Sequence, residues 1–485
     1  MTTCRLIIED EVNIKLEGLP VDIRRKVANA LKFEVPYARY MPQYKLGRWD
    51  GKVAFFGIGG TGYVNHLDKI IEILNNNSVE IADIEDRRQP VSLNFDKISE
   101  DYWGDTVWPK GHPAAGEPIR LRDYQVEVIN NFLENPQALQ EVATGAGKTI
   151  ITATLSNITE PYGRSLVVVP NKSLVVQTEA DYKNCGLDVG VYFGDRKELN
   201  KTHTICTWQS LNILDKRNKN GEEVLSLAEF LEGVATVIID EVHQAKAEVL
   251  KKLLTQNLKN APIRWGLTGT IPKESFEFES IHASIGPVIG NISARELQKK
   301  GVLSNCHVNI CQLIDTTAFR DYQAELKYLV TDPDRVEYIA SLLNKIKDTG
   351  NTLVLVDRIS AGEMLQENIE GSVFVKGDVK LDDRKEAYDD INEGYNKVVI
   401  ATYGVAAVGI NIPRIFNLVL LEPGKSFVRV IQSIGRGVRK SHDKDFVQIW
   451  DITSTCKYAK RHLTQRKKFY SEAQYPFTIE KIDWN

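Results

Sequence analysis

A short stretch, "ATGAGKT" (residues 143–149), holds residue types that suit phosphate binding. Its two glycines allow the backbone to curl tightly, so that amide groups can face phosphate oxygens. Lys148 would add a positive charge to the β- and γ-phosphates, and the Thr149 hydroxyl would coordinate Mg²⁺. Val142 occupies the place of the motif's usual first glycine, so the strict form is not met. The candidate nucleotide-binding residues are Thr144, Gly145, Ala146, Gly147, Lys148 and Thr149.

A second candidate element is "TVIIDEVH" (residues 236–243), an apolar run that ends in two adjacent carboxylates. Ligands of α/β sheets bind at the carboxyl ends of strands, which is where these acids would lie. Asp240 could hold Mg²⁺ through water, and Glu241 could orient and deprotonate an attacking water. A solvated acidic turn would explain the pair equally well in isolation. Its position downstream of the phosphate loop favours the catalytic interpretation.

A third element, "QSIGRGVRK" (residues 432–440), offers Gln432, Arg436 and Arg439. The two arginines are three residues apart, so on a helix they would share a face. An arginine supplied from a separate element can neutralise charge on a leaving phosphate when that element closes. A solvated basic helix is the alternative. The end of an α/β unit is where a closing arginine is needed, which favours the catalytic role.

The elements that must position these residues form two successive α/β units. Apolar runs of strand length alternate with helical stretches in both, which is typical of parallel sheets. We therefore predict two tandem parallel-sheet domains of the α/β class, a small α+β N-terminal domain and a short helical C-terminal tail. The predicted boundaries are 1–115 for the N-terminal domain, 116–290 for the first α/β domain, 291–330 for a connection, 331–455 for the second α/β domain and 456–485 for a basic tail.

The composition is that of an ordinary globular protein, with 42% hydrophobic and 26% charged residues. A net charge of −4 excludes a global positive field, so any basic face must be local. The six cysteines are scattered, and the group around Cys306 and Cys311 lacks the second ligand pair of a zinc site. The sequence has no apolar signal core at its start and no run of membrane-spanning length. We expect reduced thiols and a cytoplasmic location.

The ordered set of motifs resembles that of superfamily 2 helicases of the DExH type, which have two RecA-like domains. Each match is weak by itself, whereas nine in the family's order are specific. The matching segments are "LRDYQ" (121–125), "ATGAGKT" (143–149), "VVVPNKSLVVQ" (167–177), "TWQSL" (207–211), "DEVH" (240–243), "LTGT" (267–270), "LVLVDRISAGEML" (353–365), "ATYGVAAVGINIP" (401–413) and "QSIGRGVR" (432–439).

This resemblance implies an ATP- and Mg²⁺-dependent motor that moves a nucleic-acid strand stepwise as a cleft between two lobes closes and opens. Gln125 would recognise adenine, and Gln432 would sense the nucleotide. The residues that would link nucleotide state to strand grip are His243, Thr268 and Thr270. The residues that would contact the strand, mostly at its phosphate backbone, are Asn171, Thr207, Gln209, Thr402 and Gly409. Asn411, where many relatives carry aspartate, departs from the pattern.

The N-terminal region gives the best indication of the kind of helicase. Residues 20–52 hold eight Lys/Arg and three acids, interleaved with aromatics, a combination that suits nucleic-acid binding. Arg39, Arg48 and Trp49 are the candidate contacts, although the aromatics could instead form the domain's own core. The segment "YKLGRWDGKVAFF" (44–56) resembles the N-terminal domain of UvsW-type phage helicases. That resemblance implies branch migration and fork or junction remodelling in recombination and repair.

The expected partner is therefore DNA, branched or forked, with an RNA–DNA hybrid as a further substrate. We expect a monomer that works in the host cytoplasm if the gene belongs to a phage. Three alternatives stay open: an RNA helicase, since DEVH leans toward DNA without excluding RNA; a restriction-system translocase, although no nuclease motif is evident; and a nucleotide-gated junction-binding protein that does not unwind.

Overall fold

The computed structural model describes residues 2–110, 112, 114–222, 225–244, 247–272, 275–377, 388–409 and 412–484. The chain divides into two compact units. The first comprises residues 1–141 with 147–291, and the second comprises residues 142–146 with 292–485. Each unit contains a large, mostly parallel sheet, so the predicted fold class is confirmed.

The N-terminal part of the first unit is a small α+β structure. Its strands are β1 (Thr2–Ile8), β2 (Asn13–Glu17), β3 (Lys32–Glu34), β4 (Lys52–Ala54), β5 (Thr61–Tyr63) and β6 (Val79–Asp86), and its helices are α1 (Val21–Ala30), α2 (Pro42–Lys45) and α3 (Leu67–Asn76). Four strands form the N-terminal sheet in the order β5-β2-β1-β6, while β3 and β4 pair separately. Burial alternates along β2, so one face of this sheet packs on a core.

The rest of the first unit is an eight-stranded sheet with helices, here called the first lobe. Its strands are β7 (Gln137–Val142), β8 (Arg164–Val169), β9 (Val189–Phe193), β10 (Arg196–Lys197), β11 (His203–Thr207), β12 (Val234–Asp240), β13 (Ile263–Thr268) and β14 (Val288–Ile292). Its helices are α4 (Asp123–Glu134), α5 (Lys148–Thr159), α6 (Lys172–Asn184), α7 (Trp208–Lys219), α8 (Leu227–Phe230), α9 (Ala247–Lys252) and α10 (Ser275–Ser284).

The strand order of this sheet, β10-β9-β11-β8-β12-β13-β7-β14, places the motif-bearing strands side by side. Strands β9, β11, β8, β12, β13 and β7 run parallel to one another. Their interiors are apolar and buried, as a sheet covered by helices on both faces requires. Because parallel strands end at one edge, the loops after β7, β12 and β13 are neighbours.

The second unit is a seven-stranded sheet with helices, here called the second lobe. Its strands are β15 (Asn305–Leu313), β16 (Thr352–Val356), β17 (Val373–Val375), β18 (Val398–Thr402), β19 (Asn417–Leu421), β20 (Phe446–Ser454) and β21 (Phe477–Ile482). Its helices are α11 (Ala294–Lys299), α12 (Tyr322–Thr331), α13 (Pro333–Lys347), α14 (Ile359–Asn368), α15 (Tyr403–Gly409), α16 (Phe427–Gly437) and α17 (Lys457–Glu472). The strand order is β17-β18-β16-β19-β20-β15-β21, and every recorded pairing is parallel.

Two segments differ from the sequence prediction. The expected connection at 291–330 contains β15, which pairs with β20 over nine residues inside the second sheet. The expected helical tail at 456–485 contains α17 and then β21, which pairs with β15 and forms the edge strand of the sheet. Apolar residues of α17, such as Leu463 and Tyr470, are buried. This terminal segment is therefore part of the lobe, because its apolar side packs on the sheet.

The N-terminal sheet shares a hydrophobic core with the first lobe. Phe276 and Ala283 of α10 belong to the same buried cluster as Leu6 and Phe55. Backbone hydrogen bonding also joins the parts, since the Glu11 amide donates to the Lys259 carbonyl at 3.1 Å. Among the described residues, no helix is both long and apolar enough to span a bilayer.

Candidate active site

The phosphate loop lies between β7 and α5, and its backbone needs two glycines. Gly145 and Gly147 have φ angles of +89° and +77°, in the left-handed region that other residues rarely adopt. A side chain at Gly147 would also collide with Gln125, because its Cβ would lie 2.7 Å from Nε2. Lys148 is the first residue of α5, so the positive end of the helix faces the loop.

Gln125 lies against this loop because α4 holds it there. It is 5% exposed, and its Oε1 accepts a hydrogen bond from the Arg122 amide at 2.9 Å, as part of the helix's capping box. Nε2 is the atom that faces Gly147. The structure therefore places Gln125, for which adenine recognition is predicted, against the phosphate loop.

The two carboxylates at the carboxyl end of β12 lie near the phosphate-loop lysine. Lys148 Nζ is 2.8 Å from Glu241 Oε1, and both side chains are only about a tenth exposed, at 9% and 10%. Glu241 Oε2 accepts from the Gly269 amide at 3.2 Å, after β13. Glu241 has a φ of +49°, which is uncommon for a residue with a side chain. Such strained backbone collects at functional sites, where the surrounding structure holds it in place.

The pKa values of the two acids are shifted in opposite directions. Burial raises the pKa of Asp240, and the charge of Glu241 raises it further. Burial is the largest single influence on Glu241 and would raise its pKa, but the charges of Lys148 and His243, with hydrogen bonds from Lys148 and the Gly269 amide, together hold the pKa of Glu241 well below the ordinary value. Glu241 is thus ionised at neutral pH. Asp240 is the acid whose negative charge is costly in this buried place even with Lys148 nearby, and a divalent cation would relieve that cost.

The oxygen atoms that could hold Mg²⁺ come from Thr149 and Asp240. Asp240 Oδ1 accepts from the Glu241 amide at 2.9 Å, which orients the carboxylate. The Thr149 hydroxyl hydrogen-bonds to the carboxylate of Asp181 on α6, and burial raises the pKa of Asp181 to about 6. A hydroxyl and a carboxylate fit the preference of Mg²⁺ for a few protein oxygens completed by water and phosphate. Asp181 was missed by the sequence analysis, since no motif marks an acid on α6.

His243 lies between Glu241 and Thr268. Its Nδ1 is 2.6 Å from the Thr268 hydroxyl, which in turn donates to the Thr270 carbonyl at 2.7 Å. Because the threonine proton is committed to that carbonyl, the histidine Nδ1–H must be the donor. Nδ1 is also 3.6 Å from Glu241 Oε2. The three predicted coupling residues thus form one connected chain that starts at the acid beside Lys148.

Three of the predicted strand-contact residues lie at the carboxyl ends of the adjacent strands β8 and β11. Asn171 and Thr207 cap α6 and α7, since their side-chain oxygens accept from Leu174 and Ser210 amides. Gln209 donates to the Pro170 carbonyl at 3.2 Å, which ties the two helix starts together. The capping contacts give both residues a structural role. Helix N-termini placed side by side also suit phosphate groups.

The candidates of the second lobe are described only in part. Thr402 ends β18 and accepts from the Val405 amide at 3.3 Å, while Gly409 is the last residue of α15. The backbones of Gln432 and Arg436 belong to α16, but their side chains lie outside the described residues, as does Asn411. Arg439 lies two residues beyond the helix end and forms a β-bridge with Leu303. The expectation that both arginines share a helix face is therefore wrong.

The aromatics of the N-terminal basic segment separate into two groups. Phe33 and Trp49 pack against the core, and the Trp49 indole donates to the Lys52 carbonyl at 2.7 Å. Tyr40 and Tyr44 are 64% and 43% exposed, and Arg39 and Arg48 are exposed with them. The neighbouring turn requires Gly51, because a Cβ there would lie 2.9 Å from the Tyr44 ring. Trp49 is thus mainly a structural residue, and the tyrosines form the surface.

Two family models match this chain. Residues 118–273 match "Type III restriction enzyme, res subunit", and residues 334–441 match "Helicase conserved C-terminal domain". The first range carries the phosphate loop and the acid pair, and the second carries the arginines. This chain is a superfamily 2 helicase.

Similar proteins include other helicases. The "ATP-dependent DNA helicase uvsW" of Enterobacteria phage T4 is 22% identical over 466 residues, which cover 90% of this helicase and 88% of the phage protein. The "Putative DNA 3'-5' helicase Rad25" of Haloarcula marismortui is 25% identical over 419 residues, covering 80% of this chain but only 64% of the archaeal protein. A solved fragment of a putative HsdR subunit of a type I restriction enzyme from Vibrio vulnificus has a TM-score of 0.56 at 17% identity, over 97% of this chain and 85% of that one. It shows a shared fold.

Proposed function

We propose that this chain is an ATP-driven motor that remodels branched DNA, moving or reversing junctions and forks in recombination and repair. The coarse part, an ATP-dependent DNA helicase, follows from the family and from relatives of that name. The finer part, the branched substrate, is the proposal. An RNA–DNA hybrid is the further substrate that the same motor would displace.

The observation that carries the branched-DNA proposal is the exposed surface of the N-terminal segment. Tyr40, Tyr44 and Leu46 are 64%, 43% and 65% exposed next to Arg39 and Arg48. Exposed aromatic rings beside guanidinium groups suit unstacked bases and phosphates, which a junction presents where its arms meet. The similarity to the phage T4 DNA helicase extends over 90% of this chain, which is more than the motor alone.

In the motor, ATP would replace Glu241 as the partner of Lys148. When ATP binds, the Lys148 ammonium would pair with the β- and γ-phosphates. Glu241 would then be free of Lys148 and could accept a proton from water. The water oxygen then bonds to the γ-phosphorus while the bond to the ADP oxygen breaks. Mg²⁺ held through Thr149 and Asp240 would supply charge neutralisation on the phosphates.

Coupling to the strand would pass through His243. Its hydrogen bond to Thr268 and its 3.6 Å approach to Glu241 connect the hydrolytic acid with the loop after β13. A change in the charge on Glu241 would therefore alter this chain of contacts. We expect Arg436 and Arg439 to stabilise the transition state, and Asn171, Thr207, Gln209, Thr402 and Gly409 to hold the strand.

The proposal is tested by measuring phosphate release and strand separation on four substrates: a four-way junction, a linear duplex, single-stranded DNA and an RNA duplex. We expect ATP-dependent separation of the junction arms and a stronger stimulation of ATP hydrolysis by the junction than by the linear duplex. A Tyr40→Ser/Tyr44→Ser/Arg48→Gln variant should lose junction separation and retain hydrolysis stimulated by single-stranded DNA. A control variant at an exposed position of the first lobe, Lys197→Gln, should behave as the wild type does.

The alternatives give different results in the same assay. Equal stimulation by all DNA forms would reject the branched substrate and leave a general DNA motor. Preference for the RNA duplex would identify an RNA helicase. Tight, ATP-sensitive junction binding without separation would identify a junction-binding protein.

A further inference from the structure

Three side chains outside the motor converge at the contact between the N-terminal sheet and the first lobe. His66 follows β5 and precedes α3, while Glu279 and His282 lie three residues apart on α10. A ligand atom of each lies within 4.8 Å of a ligand atom of the other two. Within the described residues, this is the one group of three or more His, Cys, Asp or Glu side chains with that geometry.

The distances are those of a compact site. His66 Nε2 is 2.9 Å from Glu279 Oε2, and His282 Nδ1 is 3.6 Å from the same oxygen. The two imidazole rings stand at 72° to each other, with centroids 5.3 Å apart. Atoms this close can share one ion of about 2 Å bond length after small rotations of the side chains. A Glu and a His at positions i and i+3 of a helix project to one side, as in other metal-binding helices.

The three side chains are mostly buried but not fully enclosed, so a bound ion could still take a water ligand. The side chains of His66, Glu279 and His282 are 2%, 18% and 24% exposed. His66 Nδ1 is buried and has no hydrogen-bond partner among the described residues, so contacts within the chain satisfy only half of this imidazole.

The surroundings are aromatic. Phe55 and Tyr63 pack edge-on against His66 at 5.5 and 6.0 Å, and Phe278 stacks on His282 at 6.0 Å. This shell fixes both rings and limits the number of competing water molecules.

We propose that His66, Glu279 and His282 bind one divalent transition-metal ion, which joins the N-terminal sheet to α10 of the first lobe. Two imidazoles and one carboxylate form a ligand set that Zn²⁺ accepts with water in the fourth position. Mg²⁺ prefers oxygen ligands, so this site is chemically distinct from the one at Thr149 and Asp240. The ion would stabilise the contact between these two parts of the first unit. The proposal does not depend on the substrate of the motor.

The test is a titration of the chelator-treated full-length protein with Co²⁺, followed by displacement with Zn²⁺, in buffer that contains Mg²⁺. We expect one equivalent of Co²⁺ to bind with visible d–d absorption and without the thiolate charge-transfer band that cysteine ligands give. The His282→Gln and Glu279→Gln variants should bind at least about ten-fold more weakly. His442→Gln, which removes a histidine with an 82% exposed side chain, should bind as the wild type does.

Thermal melting gives a second measurement that does not depend on colour. Zn²⁺ should raise the Tm of the wild type and of His442→Gln, and it should leave the Tm of His282→Gln unchanged. Failure of the wild-type protein to bind Co²⁺ or Zn²⁺ would overturn the proposal, as would equal binding by the wild type and both ligand variants. If one ligand variant does not fold, the wild-type stoichiometry and the other variant decide the outcome.

Discussion

Two buried ion pairs, one in each lobe, have similar chemistry and different surroundings. In the second lobe, Arg466 binds Asp451 through two hydrogen bonds of 2.8 and 2.9 Å, with side chains 1% and 0% exposed. The Arg466 Nη1 donates to the Gly424 carbonyl, and the Tyr470 hydroxyl donates to Asp451. In the first lobe, Lys148 meets Glu241 at 2.8 Å with about a tenth of each side chain exposed.

The different surroundings separate a buried charge with a structural role from one that is available to a ligand. The guanidinium of Arg466 is planar and held in a fork by its carboxylate, so exchanging its partner would break several bonds at once. The ammonium of Lys148 is a compact charge on a flexible stem at the start of a helix, beside a glycine loop. It can leave Glu241 for a phosphate without disturbing a sheet. The first pair therefore stabilises a fold, and the second is suited to exchange.

The largest effect should come from removing the exchangeable charge. Lys148→Ala should lower the rate of phosphate release about a thousandfold, or ~4 kcal/mol in the barrier, because the phosphates lose their positive partner. DNA binding without nucleotide should persist. The control is Lys197→Ala, an exposed lysine of the same lobe. ATP hydrolysis near the wild-type rate in Lys148→Ala would show that the phosphate-loop assignment is wrong.

Removal of the Arg466–Asp451 pair should lower the stability of the protein rather than its activity. Arg466→Met should lower the free energy of unfolding of the second lobe by about 3–5 kcal/mol, since it leaves Asp451 buried without its cation. Arg461→Met, on the exposed side of the same helix, should change it by less than about 0.5 kcal/mol. Urea unfolding followed by circular dichroism measures both. The double change Arg466→Met/Asp451→Leu should recover part of the loss, and no recovery would mean that the pair itself, rather than its unpaired acid, determines stability.

The same network predicts a pH dependence. Burial, together with the charges of Arg466, Lys425 and Arg461, lowers the pKa of His462 to about 4. The native state then binds fewer protons than the unfolded chain between pH ~6.5 and about 4. Stability from this group is present above pH ~6.5 and is lost as the pH falls through that window.

Partial solvent screening reduces the size of the effect, so we expect a loss of about 1 kcal/mol at pH 5 relative to pH 7. The measurement is the urea midpoint at both pH values. His462→Gln should show a smaller difference between the two than the wild type does. An identical difference in the variant would assign the pH dependence to other groups.

The smallest effect should come from the coupling chain. Thr268→Val removes the hydroxyl that accepts from His243 and should lower the DNA unwound per ATP hydrolysed about three-fold, or ~0.7 kcal/mol. Thr268→Ser keeps the hydroxyl and should stay near the wild-type ratio. The comparison requires unwinding and hydrolysis measured on one substrate. A loss of hydrolysis equal to the loss of unwinding in Thr268→Val would place this residue in the chemistry rather than in coupling.

The sequence by itself determined the parts whose chemistry is local. The phosphate loop needs glycines at 145 and 147 because both adopt positive φ angles, and the acid pair ends an apolar run that indicates a buried strand. The alternation of apolar runs with helical stretches predicted two parallel sheets, because buried parallel strands are continuous apolar runs. These signals extend over a few residues, so no fold is needed to interpret them.

The pairing of residues that are distant along the chain became visible only in the folded arrangement. Asp181 on the Thr149 hydroxyl, β15 and β21 in the second sheet, and His66 beside α10 all join positions separated by tens of residues or more. Parallel strands are joined by long crossovers, so the identity of a strand's neighbour leaves no local mark. The sequence left open that Tyr40 is exposed and that Trp49 is partly buried. The core that covers part of Trp49 is assembled from the whole N-terminal sheet and α10.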